Sequence, residues 1–201
     1  MPTVNLLPNA DESNSPAWTL STGSDIWALL DDETSNPATD ANQITATAAG
    51  KKCIVEFQSL ADVGVATSNV FNSVQAEVHA TIYERGQTYT IGVRILDSSN
   101  TELWAQETSA GGSAGAWTTH TFTARTVSAD DGLAGAWNDT DIDGIRMEIE
   151  GVAMSDYTLR VGYAKFIIDY TLPPTPTYPS DDNVIFKNGL TELKNGQLTI
   201  K

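Results

Sequence analysis

Carboxylates, two histidines and one cysteine are the side chains of this chain that could do chemistry. Asp139, Asp141 and Asp143 alternate in Asp139-x-Asp141-x-Asp143-Gly144, the spacing of the first turn of a calcium loop. Glu150 stands at the twelfth position, but flanking helical patterns are missing, so the match to an EF-hand is partial. The plainer reading is that these aspartates cap turns and lead into a strand. Asp31-Asp32 and Asp130-Asp131 are further acidic pairs in turn-like context. A glycosidase needs two carboxylates facing each other across a cleft.

His79 and His120 are the two histidines. His79 falls on the expected wet face of its strand, which reads as a plain surface histidine. One Cys and two separated His do not make the ligand spacing of a zinc site. Cys53 sits in Cys53-Ile54-Val55-Glu56-Phe57, a strand-like run, and reads as a small buried hydrophobe rather than a nucleophile. No catalytic residue, cofactor or resident metal is therefore expected, and the aspartate run stays a weak calcium candidate. Of the five tryptophans, Trp27 and Trp117 lie in strand-like runs and are expected in the core. Trp104 and Trp137 flank loops and are the candidates for a sugar-stacking surface.

The elements that position these groups are strands. Val74, Ala76, Val78, Ala80 and Ile82 alternate with Gln75, Glu77, His79 and Thr81, the period of a sheet with one wet face. Tyr89, Ile91, Val93 and Ile95 repeat that pattern, and Glu84 to Gln87 between the two runs reads as a hairpin loop. Asp97 to Asn100 closes the second run, and Glu102 to Glu107 is its return. Gly111 to Gly115 is a loop, and Trp117 to Arg125 a Thr-rich strand. Ile145, Met147 and Ile149 point inward from the next strand, and Leu159 to Tyr170 is the last long one. Val4 to Leu7, Trp18 to Leu20, Ile26 to Leu29 and Ile44 to Thr47 are short strands, and Asp31 to Asn42 is a long polar loop. Many short strands between turn residues make an antiparallel two-layer sandwich, an all-β fold.

Beyond residue 171 the composition changes. Pro173, Pro174, Pro176 and Pro179 make residues 172–182 a polyproline-like spacer. In residues 183–201, Asn188-Gly189 and Asn195-Gly196 favour tight turns between three short strands. A meander this small is marginal alone in water. Val184, Ile185, Phe186, Leu190, Leu193, Leu198 and Ile200 are therefore its candidate contacts with a partner or a sister subunit.

The formal net charge of −15 disfavours nucleic acid and anionic membrane surfaces as partners. No apolar run approaches transmembrane length, and Met1 to Ala10 lacks the basic and apolar regions of a secretory signal.

Several segments resemble a jelly-roll module of tailed-phage structural proteins. They are Asp31-Asp32 with Gln43-Ile44-Thr45, the alternating Val74 to Ile82, and Ala116-Trp117-Thr118-Thr119-His120-Thr121-Phe122. The run Ala136 to Arg146 and the closing Val161 to Tyr170 complete the likeness, which covers most of residues 4–171. The resemblance implies a carbohydrate-binding-module-like jelly roll without catalytic residues. It is most similar to a capsid decoration, or cement, protein on the virion surface, whose partner is the major capsid protein or another virion protein. A homo-oligomer is implied, a trimer first. The alternatives are a carbohydrate-binding or adhesion module of a phage tail, fibre or bacterial surface protein and, third, a hydrolase with a hidden carboxylate pair.

Overall fold

The computed structural model describes residues 1–14, 17–31, 42–82, 87–111, 116–128, 135–154 and 158–174, with the strand backbone at 184–185, 191–194 and 197–200. Two antiparallel sheets face each other as a jelly-roll sandwich. Their strands are β1 (Thr3–Leu6), β2 (Pro8–Ser13), β3 (Thr19–Leu20), β4 (Ile44–Ala46), β5 (Lys51–Phe57), β6 (Val70–Ile82), β7 (Thr88–Leu96), β8 (Glu102–Gly111), β9 (Thr118–Thr121), β10 (Arg146–Met154) and β11 (Leu159–Thr171). One sheet runs β3-β4-β11-β6-β9, with β1 also on β11, and the other runs β2-β5-β10-β7-β8.

The alternation read in the sequence is the core. Val74, Ala76, Val78, Ala80 and Ile82 of β6 are fully buried and face Tyr89, Ile91, Val93 and Ile95 of β7 and Met147 and Ile149 of β10. Burying each large aliphatic side chain contributes roughly 1.5–3 kcal/mol. Cys53 is fully buried among them.

Three expectations are corrected. Val70–Ile82 and Thr88–Leu96 are not a hairpin, because β6 and β7 belong to opposite sheets. Their apolar rows face each other across the core, so the chain crosses between layers there. The observed hairpin is β7–β8, closed by Asp97: its Oδ1 accepts from the backbone N–H of Ser99 and Thr101, both at 2.8 Å. Asn100 takes the left-handed φ of 64° in that turn. Residues 26–29 are not a strand. Asp11 of β2 accepts from the backbone N–H of Ile26 and of Trp27, both at 2.7 Å, which starts the short helix α1 (Trp27–Leu30) and buries Leu29 and Leu30. The Thr-rich run ends as a strand at Thr121, with a single further bridge from Arg125 to Val74.

The expected three-strand meander is present as its own sheet: β12 (Val184–Ile185), β13 (Thr191–Lys194) and β14 (Gln197–Ile200), in that order. Val184 pairs with Leu193 and Leu193 with Leu198, which places the three in one cross-strand row. Lys194 pairs with Gln197, leaving two residues for the turn. Phe186 and Leu190, the interior of the polar loop at 32–41, the glycines at 112 and 115 and the spacer from 175 onward lie outside the described residues.

Candidate functional site

The outer face of the β11-β6-β9 region gathers a cluster of titratable and aromatic side chains. In β6 the alternation sends Glu77 and His79 outward. The register sets His79 opposite Tyr163 on one side and Thr119 on the other, and Glu77 opposite Lys165 and Thr121. Tyr163 reaches this face because β11 is irregular between Val161 and Tyr163. One extra residue, Gly162, reverses the parity, so that Val161 and Ala164 both point inward.

Glu77 is the hydrogen-bonding centre of the grid. Tyr163 Oη donates to Glu77 Oε1 at 2.9 Å, Lys165 Nζ is 2.9 Å from the same oxygen, and Thr121 Oγ1 donates to Glu77 Oε2 at 3.2 Å. His79 Nδ1 lies 2.9 Å from Thr119 Oγ1. The His79 ring stacks on Tyr163 at 4.9 Å and on Trp117 at 5.3 Å, with planes within 6° of parallel in both pairs. Stacking buries His79 to 9% exposure, which corrects the reading of a plain surface histidine. Its Nε2 is buried with no hydrogen-bond partner among the described residues. Burial pulls the His79 pKa below the usual histidine value, against the opposing pull of Glu77. Burial also raises the Tyr163 phenol.

The tryptophans are the reverse of the expectation. Trp104 and Trp137 are 5% and 4% exposed and offer no stacking surface. Trp104 packs edge-on against Phe122, with the Arg125 guanidinium 5.8 Å from its ring centre. Trp137 donates from Nε1 to the Arg125 carbonyl at 2.8 Å. Trp27 and Trp117, expected inside, are the half-exposed pair, while Trp18 is buried.

The other chemistry candidates are used by the fold. His120 turns inward to share a 2.7 Å hydrogen bond between its Nε2 and Tyr89 Oη, and burial lowers its pKa. The same burial pushes the Tyr89 phenol up to about 12. The Cys53 thiol is pushed far up by burial, which holds it protonated and unreactive.

Asp139, Asp141 and Asp143 do not converge on a cation. They lie in and after the short helix α2 (Asp139–Ile142), where Asn138 and Asp141 form a reciprocal capping box. Asp143 Oδ1 instead accepts from the Leu60 backbone N–H at 2.7 Å. No group of three or more His, Cys, Asp or Glu among the described residues is arranged to hold a metal ion.

The opposite outer face carries a ladder of ion pairs across β5, β10, β7 and β8. Lys52 pairs with Glu148 at 3.1 Å and Glu150 at 2.9 Å. Arg94 pairs with Glu148 and with Glu102, and Arg146 with Glu56 and Glu12. These cations are engaged by the protein's own carboxylates.

No protein-family model matches the chain, and no curated protein matches it. Among solved structures, the chain is similar to an arabinose-bound GH51 α-L-arabinofuranosidase, at 11% identity over 68% of this chain and a TM-score of 0.40. It spans 21% of that enzyme's length. It is similar to the CBM36-1 domain of a multidomain xylanase from the hindgut metagenome of Trinervitermes trinervoides, at 7% identity, 84% of this chain, 97% of that one and a TM-score of 0.40. It is also similar to the infectious bursal disease virus Gt strain structure, at 9% identity, 83% of this chain, 32% of that one and a TM-score of 0.35.

Proposed function

We propose that this chain is a non-enzymatic structural protein of a virion, a capsid decoration protein that binds the outside of a phage head. The observation that carries the reading is the engagement of its reactive side chains within the fold. Cys53 is buried, His120 is bonded to Tyr89, Asp141 caps α2 and Asp143 holds the Leu60 backbone. What such a molecule offers a partner is surface: two outer sheet faces and the β12–β14 meander. A major capsid protein, or another virion protein, is the partner of that surface. Cosedimentation of the purified chain with heads that lack it tests the proposal. Saturable binding and a raised temperature of head disruption are expected; failure to cosediment at micromolar concentration rejects it.

A second reading is favoured by one arrangement. Half-exposed Trp117, stacked on His79, offers exposed indole surface to a sugar ring. Tryptophan fluorescence titrated with a polysaccharide panel tests it, and a Trp117→Ala variant that responds like the parent would count against it.

A further inference from the structure

Charge is segregated along the chain. Of its 11 Lys and Arg and 26 Asp and Glu, residues 183–201 hold Lys187, Lys194 and Lys201 against Glu192. The remaining eight cations face 25 carboxylates. Lys52, Arg94, Arg146 and Lys165 among them are already paired with carboxylates of the sandwich. A strongly acidic body with half of its cations already committed, and a basic meander, carry complementary charge.

The meander also has an apolar row. Val184, Leu193 and Leu198 are paired across the three strands, and Ile200 shares the parity of Leu198 on β14. Three strands this short need cover to persist in water. The acceptor best matched to a basic strand unit is β8, the terminal strand of its sheet. It runs ten residues, carries exposed Glu107 and, partly shared with Arg94, exposed Glu102, and contains no Lys, Arg or Pro of the kind that shields an edge.

We infer that the β12–β14 meander of one copy docks along the β8 edge of a second copy. A neighbour suits better than the chain's own β8. The composition of residues 172–182, with Pro173, Pro174, Pro176 and Pro179, is that of an extended spacer of about 3.1 Å per residue, long enough to reach a neighbouring copy. The inference goes beyond the particle reading and stands apart from it, because assembly is measured on the purified chain alone.

Light scattering after size exclusion tests it, on the full-length chain at about 50 mM and about 500 mM salt, across which exposed charge pairs are progressively screened. The expected mass at low salt is at least twice the 21.5 kDa of one copy, falling at high salt. One variant, Lys187→Glu/Lys194→Glu/Lys201→Glu, and another, Glu102→Lys/Glu107→Lys, each run at the single-copy mass. Mixed one to one, they regain the doubled mass, since each supplies the charge that the other's partner surface needs. A single-copy parent at low salt overturns the inference, as does a parent assembly that survives in either variant. Mixing without recovery overturns it too, and recovery shows that neither variant had merely misfolded.

Discussion

The His79 ring lies 4.9 Å from that of Tyr163, with the two planes parallel. The pair exists because one irregularity in β11 turns Tyr163 outward, opposite His79. A neutral imidazole suits this slot between two aromatic rings; a protonated one must be desolvated there. In the unfolded chain a histidine titrates near 6.5, and in the fold burial lowers the value for both His79 and His120. As pH falls, the unfolded chain therefore takes up these protons first. The stabilisation is complete above about pH 6.5 and is lost as pH drops from there through the lowered folded values. The melting temperature should fall by several degrees between about pH 7 and about pH 5. His79→Phe, which keeps the ring stack, should flatten that slope. An unchanged slope in thermal denaturation followed by circular dichroism would discard His79 as a contributor.

Trp104 and Trp117 should respond oppositely to truncation. Trp104 is 5% exposed against Phe122, so Trp104→Ala empties core volume and should cost about 3–5 kcal/mol. Trp117 is half-exposed on the outer face, and Trp117→Ala should cost about 1 kcal/mol, mostly as lost stacking. Urea denaturation of the two variants checks the ranking. Equal costs would contradict the burial described for Trp104.

The sandwich was legible wherever one strand told its own story. The alternation from Val74 to Ile82 and from Tyr89 to Ile95 states which residues are buried, and those residues are buried. The meander was legible from two Asn-Gly turns and short apolar runs, and its strands pair in that order. What depends on distant partners was not legible. Ile26 to Leu29 looks like a strand because its helical turn is set by Asp11, fifteen residues earlier. The two long alternating runs look like a hairpin because nothing local says that they enter different sheets. Trp117 and Trp104 exchanged roles because exposure is decided by cross-strand neighbours: Phe122 and Arg125 close over Trp104. Tyr163 could be found only by noticing that the alternation of its strand breaks at Gly162.

Gly92 is a site where a side chain does not fit. It lies within β7, and a Cβ there would come within 2.8 Å of Val152 Cγ2 on β10. Valine is branched at Cβ and cannot swing its methyl away without changing its single torsion. Gly92→Ala should therefore destabilise by about 1–3 kcal/mol, although alanine favours the ordered backbone over glycine elsewhere. Val152→Ala made in the same molecule should recover most of the loss. A double variant no more stable than Gly92→Ala alone would show that the close contact is not the cause.

The aspartates around α2 should behave as folding groups. Asp141 receives the Asn138 backbone N–H, and Asn138 Oδ1 receives that of Asp141, at 3.3 and 3.0 Å. Asn138→Ala should cost about 1 kcal/mol through loss of the cap. Asp143→Ala removes the acceptor for Leu60 N–H, a half-buried contact made by a carboxylate, and should cost about 1.5–3 kcal/mol. A cation bound to all three carboxylates would add stability by mass action. Because Asp141 and Asp143 point at different backbone groups, the melting temperature should be the same with about 5 mM calcium as with a chelator. A rise of several degrees on adding calcium, absent in Asp139→Asn, would mean that these side chains leave their caps to bind the ion.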